Sequence, residues 1–281
     1  MRFVVPFISL LLILSSCPKS EAGSFRTWIP LPRGGSIPVY YFYPDYETTN
    51  RLPAVIHGVG VGAMKIAQHH VHCQELANRG FVVMLVDPSN YPESLTPGPF
   101  EWERGLGYLA GSVNQGVVAA RLVFDMEWYL DAIRAAVDNL WFNPKVDPYR
   151  IAISGYSQPA NAALTYASRD PRVRAVVWNY GGSPWIMPYD VMRLPPVLIF
   201  HGTADDVYDV KYAKRLAQEL AAAGKYVEPY IYPGQKHLFT IYFDITGEPR
   251  FARSVILETF ERMVSFLNRA MPPGRSAASL Q

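Results

Sequence analysis

The sequence predicts an α/β fold, a mostly parallel sheet with helices on both faces, and three observations carry that prediction. Short apolar runs recur at residues 53–60, 81–86, 151–154, 173–180 and 197–200, each cut off by Gly, Pro or Asp, as in strands buried on both faces. Helical patterns separate them, and parallel neighbours need such crossovers. The 281 residues, 49% hydrophobic and 18% charged, are enough for one large domain with a sizeable core. The formal charge of +2 comes with no basic stripe, no internal repeat and no long charge block, so no nucleic-acid partner is expected.

The first residues differ in kind. Arg2 gives a short positive region, residues 3–14 an apolar stretch short for a membrane span, and Ser15, Ser16 and Cys17 follow. Residues 1–16 therefore read as an export signal. Leu14-Ser15-Ser16-Cys17 resembles the lipobox of bacterial lipoproteins, which implies lipid on Cys17, a membrane contact through that lipid and a place in the bacterial cell envelope. The alternative is ordinary cleavage near the same point, giving a secreted or periplasmic soluble protein. With Cys17 lipidated, Cys73 is a lone buried thiol; otherwise a Cys17 to Cys73 bridge can form in an oxidising compartment.

Residues 17–23 read as a tether. Residues 24–32 and 36–43 alternate around Arg33-Gly34-Gly35, predicting a β-hairpin at an antiparallel sheet edge. Residues 53–60 form an apolar strand running into a glycine-rich turn. A helix over 66–79 stops at Gly80, and a buried strand over 81–86 ends at Asp87-Pro88. Residues 88–114 then break the rhythm with four prolines and four glycines, long enough for a loop or cap over a site. Leu122, Met126, Tyr129, Ile133, Val137 and Leu140 recur every three or four residues and predict a long amphipathic helix over 115–140. After the strand at 151–154 comes a helix rich in alanine. Strands at 173–180, 197–200 and 226–232 and helices at 208–223 and 251–270 complete one domain of residues 24–270, and a frayed tail at 271–281 follows it.

The chemistry gathers at strand ends, where open parallel sheets place their sites. Ser157 follows the strand at 151–154 in a sharp turn, over the N-terminus of a helix whose N-H groups and dipole favour a developing anion. Gly155-Tyr156-Ser157-Gln158-Pro159 fits four of the five positions of the G-x-S-x-G nucleophile elbow, with Pro159 in place of the last glycine. Proline is acceptable in the first turn of a helix, where its missing N-H would have had no partner. Asp205 ends a later strand and His237 follows the last one, giving the order Ser, Asp, His. Asp206 and Asp209 compete with Asp205, and Asp87 falls before the serine. His57 and His201 precede glycines and read as structural, hydrogen-bonding within their turns. His69, His72 and Cys73 share one helical face at zinc-ligand spacing, but no strong fourth ligand accompanies them, so a polar helix surface is expected, with no metal and no cofactor.

These residues resemble the α/β-hydrolase superfamily and, within it, the dienelactone hydrolase-like esterases. The likeness rests on the His57-Gly58 turn, the elbow, His201-Gly202-x-x-Asp205 and Tyr232-Pro233-Gly234-x-x-His237-x-Phe239. It implies a mostly parallel eight-stranded sheet and hydrolysis of a small-molecule carboxylic ester or lactone without a metal. The founding dienelactone hydrolases carry cysteine where this chain has Ser157, which favours serine esterase chemistry. In the implied site His237 takes the Ser157 proton, Asp205 fixes the imidazole, and the backbone N-H groups of Gln158 and Val59 form the oxyanion hole. Trp185, Tyr180 and Trp102 are the expected aromatic walls for the acyl group. Two other readings stand beside the esterase: an amidase or peptidase with the same triad, and a binding lipoprotein that kept the fold without turnover.

Overall fold

The computed structural model describes residues 23–59, 67–86, 115–183, 188–241 and 253–274, without the side chains of 115–126. The expected export signal over residues 1–16, Cys17, Trp102 and Trp185 lie outside the described residues. Eight strands form one sheet: β1 (Gly23–Pro30), β2 (Ser36–Tyr43), β3 (Leu52–Gly58), β4 (Val82–Val86), β5 (Val146–Tyr156), β6 (Val173–Asn179), β7 (Val197–Gly202) and β8 (Val227–Tyr232). Among the described residues five α-helices join them: α1 (Ala67–Asn78), α2 (Gln115–Trp141), α3 (Gln158–Ala167), α4 (Lys211–Ala222) and α5 (Arg253–Ala270).

The spatial order is β1-β2-β4-β3-β5-β6-β7-β8, with β1 and β2 antiparallel to their neighbours and the rest parallel. The expected hairpin is therefore the antiparallel edge, paired from Gly23 with Tyr43 to Pro30 with Ser36.

Strand alternation separates two cores. Ile151, Ile153, Val82, Met84 and Val176 face one side, where buried residues of α2, α3 and α4 cover them. Ala152, Val83, Leu85, Val177 and Phe200 face the other, covered by Cys73 and Leu76 of α1 and by Met263, Phe266 and Leu267 of α5. The central strands thus have apolar residues on both faces, which is why they read as continuous runs rather than alternating ones.

Two boundaries differ from expectation for local reasons. β5 begins at Val146 because Val146 pairs with Leu52, with a register shift before Ala54 meets Ile151. α4 begins at Lys211, not at Tyr208. The Asp209 carboxylate accepts the Lys211 N-H at 2.8 Å, and the Tyr208 N-H is taken by Asp205, so a tight turn precedes the helix.

Candidate active site

β5 delivers the chain to Ser157 with φ 62° and ψ −128°, a conformation that residues other than glycine rarely adopt. Neighbouring groups over-determine it. The Ser157 N-H donates to the Asn179 carbonyl at 3.0 Å, and the Asn179 side-chain N-H donates to the Gly155 carbonyl at 3.0 Å. A Cβ at Gly155 would stand 2.6 Å from Ala160 Cα, so only glycine lets the elbow fold back on the following helix. Pro159 sits in the first turn of α3, and a Cβ at Gly58 would meet its ring at 3.6 Å, an ordinary contact. The close approach of this elbow is therefore made at Gly155, and Pro159 fits without a clash.

The turn after β5, the turn after β7 and the loop after β8 bring three side chains together. The Ser157 hydroxyl lies 3.0 Å from His237 Nε2, and His237 Nδ1 lies 2.8 Å from Asp205 Oδ2. The Asp205 carboxylate is fully enclosed, and its second oxygen accepts the N-H groups of Val207 at 2.9 Å and Tyr208 at 2.8 Å. Burial alone would raise its pKa, but the hydrogen bond and charge of His237, with the two backbone amides, hold it below the usual carboxylate value. An ionised Asp205 accepts from Nδ1-H, which leaves the Nε2 lone pair to accept from the serine hydroxyl. Asp206 is exposed and takes no part.

Buried aromatic and imidazole rings hold this relay in place. The Tyr180 ring meets His237 edge-on at 4.9 Å, and the Tyr208 ring does so at 5.6 Å. His201 Nε2-H donates to the Tyr208 carbonyl at 2.9 Å and lies 3.3 Å from Asp205 Oδ2. Burial lowers the His201 pKa, so its ring is neutral beside the carboxylate, stacked at 5.7 Å on Trp178. His201 is thus structural and bonds within its own turn, as its position before Gly202 predicts.

Four expectations need correction. The Val59 N-H donates to the Val86 carbonyl at 3.0 Å, continuing the β3–β4 ladder, so it does not face the serine as an oxyanion donor. Tyr180 is fully buried, with its hydroxyl 3.0 Å from Thr240 Oγ1; it packs edge-on against His237 and has no exposed surface with which to wall an acyl pocket. His69 faces the core and not solvent, beside Cys73, which is the buried free thiol expected of it. His57 reaches across to α1, with its Nε2 2.9 Å from His69 Nδ1, instead of bonding within its own turn. Among the described residues no three His, Cys, Asp or Glu side chains are grouped to hold a metal ion.

Gln158 stands where expected, at the first position of α3, where helical N-H groups have no carbonyl four residues back. Tyr208 was not legible as a site residue. Its sequence signal was only proximity to Asp205, and nothing in a loop sequence says that its ring turns towards Ser157.

A family model described as Dienelactone hydrolase family matches residues 37–271. The chain belongs to the dienelactone hydrolase family. Among curated relatives it is similar to a Methylorubrum extorquens protein named as a candidate carboxymethylenebutenolidase, 26% identical over 59% of this chain and 56% of that one. The chain spans less than two thirds of the curated relatives it matches, with 31% covered in another. Its fold is similar to Est2, a Thermogutta terrifontis esterase solved with propionate, with TM-score 0.61, 18% identity and coverage of 90% and 97% of the two chains. It is also similar to P91, a dienelactone hydrolase-like promiscuous phosphotriesterase from metagenomic libraries, with TM-score 0.68, 16% identity and coverage of 89% and 99%.

Proposed function

We propose that this dienelactone hydrolase family member is a serine hydrolase that cleaves carboxylic esters or lactones through an acyl-enzyme. The observation that carries the reading is the relay itself: 3.0 Å from Ser157 to His237 and 2.8 Å from His237 to Asp205. A serine hydroxyl is a weak nucleophile at neutral pH, so His237 Nε2 removes its proton as Oγ bonds to the carbonyl carbon. The carbonyl oxygen takes up the displaced electron pair, and the Gln158 N-H and the start of α3 face that charge. Asp205 holds the imidazolium that forms. As the tetrahedral carbon expels the alkoxide, His237 returns the proton to it, and water then repeats the sequence to release the acid. The candidate carboxymethylenebutenolidase and the esterase among the similar proteins support an ester or lactone substrate.

The proposal extends to location. Arg2, the apolar stretch that follows and Leu14-Ser15-Ser16-Cys17 support export and lipidation at Cys17. Among the described residues no helix is long and apolar enough to cross a membrane.

Purified protein and its Ser157→Ala variant, assayed on p-nitrophenyl esters of graded acyl length and on a p-nitroanilide, test the chemistry. Ester turnover abolished by the substitution is expected. Turnover that survives it contradicts the triad, and turnover restricted to the anilide favours an amidase. For the location, Cys17→Ala is expected to move the protein from the membrane fraction to the soluble one, and retention in the membrane contradicts the lipid anchor.

A further inference from the structure

Beside the nucleophile the structure holds a polar pair outside the Ser157, His237 and Asp205 relay. The Tyr208 hydroxyl donates to Gln158 Oε1 at 3.1 Å, although the two residues lie 50 apart in sequence. The pair is held on both sides. The Tyr208 N-H and carbonyl are fixed by Asp205 and His201, and its ring fills the space over Gly182, where a Cβ would fall 2.7 Å from the ring. Gln158 follows the serine directly, so its carboxamide springs from the residue whose N-H faces the reacting carbonyl.

The Gln158 carboxamide is only half used. Its Nε2 is enclosed and has no protein partner among the described residues. Rotating the amide by 180° would give Nε2 to the tyrosine and leave the oxygen unpartnered instead, so either orientation offers one buried polar atom. A buried amide without a partner is costly, and such groups in native structures are met by water or by ligand. The Tyr208 hydroxyl, after donating to Gln158, has two acceptor lone pairs, which it shares with the neighbouring Ser157 hydroxyl.

Resting on the serine-hydrolase reading, we propose that Gln158 and Tyr208 form a polar subsite for a second oxygen function carried by the substrate, three or four bonds from the scissile carbonyl carbon. The substrate class is then hydroxy-, keto- or alkoxy-substituted esters and lactones, in preference to plain alkanoate esters. The oxygen can belong to the acyl or to the alcohol part, and the two are separable by experiment.

The test compares kcat/KM for ethyl butyrate, ethyl 3-hydroxybutyrate and 2-hydroxyethyl butyrate, with active sites counted by fluorophosphonate labelling. Wild-type protein, Tyr208→Phe and Gln158→Leu are measured side by side. Wild type is expected to favour one hydroxylated ester over ethyl butyrate by roughly five- to tenfold, the worth of one or two hydrogen bonds. Per labelled site, that ratio should fall to within about twofold of unity in both variants. Tyr208→Phe keeps the ring that packs on Gly182 and decides the matter if Gln158→Leu cannot be labelled. Preference for the 3-hydroxybutyrate places the oxygen on the acyl side, and preference for the hydroxyethyl ester places it on the alcohol side. A wild-type ratio near one for both esters, or a ratio unchanged in the variants, overturns the subsite while leaving the hydrolase reading intact. Absence of labelling and of all turnover in wild type overturns both.

Discussion

Asn179 clasps Ser157: its carbonyl accepts the serine N-H at 3.0 Å, and its side chain donates to the Gly155 carbonyl two residues earlier. The end of β6 thereby holds the end of β5 in a backbone conformation that serine would not choose. Replacing Asn179 with Ala removes the side-chain half of this clasp and leaves the buried Gly155 carbonyl short of a donor. Stability should fall by about 1–3 kcal/mol, read as a lower urea midpoint with an unchanged slope. Turnover should fall as well, because the serine is less firmly aimed; a variant equal to wild type in both would remove Asn179 from the account.

Gly155 makes a sharper prediction. An added methyl would meet Ala160 Cα at 2.6 Å and the Pro159 carbonyl at the same distance, both of them backbone. Gly155→Ala should cost about 1–3 kcal/mol or more, measured by denaturant unfolding, because no flexible side chain can yield.

The choice of acid is testable within one turn. Asp205→Asn keeps the shape but presents a donor where Nδ1-H needs an acceptor, and activity per site should drop on the order of 10⁴-fold. Asp206→Asn, at an exposed position, should change ester turnover less than about twofold. The reverse pattern would move the acid to Asp206.

Acid should destabilise the fold through histidines that are not members of the relay. Burial lowers the His57 pKa well below its ordinary value, His69 to about 3 and His72 to about 4. The unfolded chain takes up protons near pH 6.5 that the folded chain refuses. Their contribution is therefore complete above about pH 6.5 and is lost as pH falls towards 4, by up to ~1.4 kcal/mol per pH unit for each ring. Below that, the depressed pKa of Asp205 adds a further loss in the carboxylate range. Urea unfolding between pH 7 and 4.5 checks this. His69→Gln should flatten the profile, and a profile equally steep in the variant would assign the protons elsewhere.

Much of this architecture was readable from residue order because its signals are local. Apolar runs cut off by glycine and proline marked the strands, and three polar residues at strand ends marked where the sheet would gather them. What escaped reading depends on where a side chain points after the chain turns. Val59 stands in the turn where one oxyanion donor is expected, but pairing with Val86 decides whom its N-H serves. His69 and Cys73 share a helical face, and only the packing of α1 against the sheet makes that face the inner one. Tyr208 and Gln158 meet across 50 residues, a contact that no local pattern encodes.

The most direct measurement of the central claim is peptide mapping of the full-length protein after reaction with a fluorophosphonate, combined with ester kinetics. A single phosphonyl group on Ser157, formed at a rate that falls by orders of magnitude in His237→Ala, together with loss of ester turnover, is the predicted result. Labelling at another residue, or full ester turnover by protein fully modified at Ser157, would contradict it.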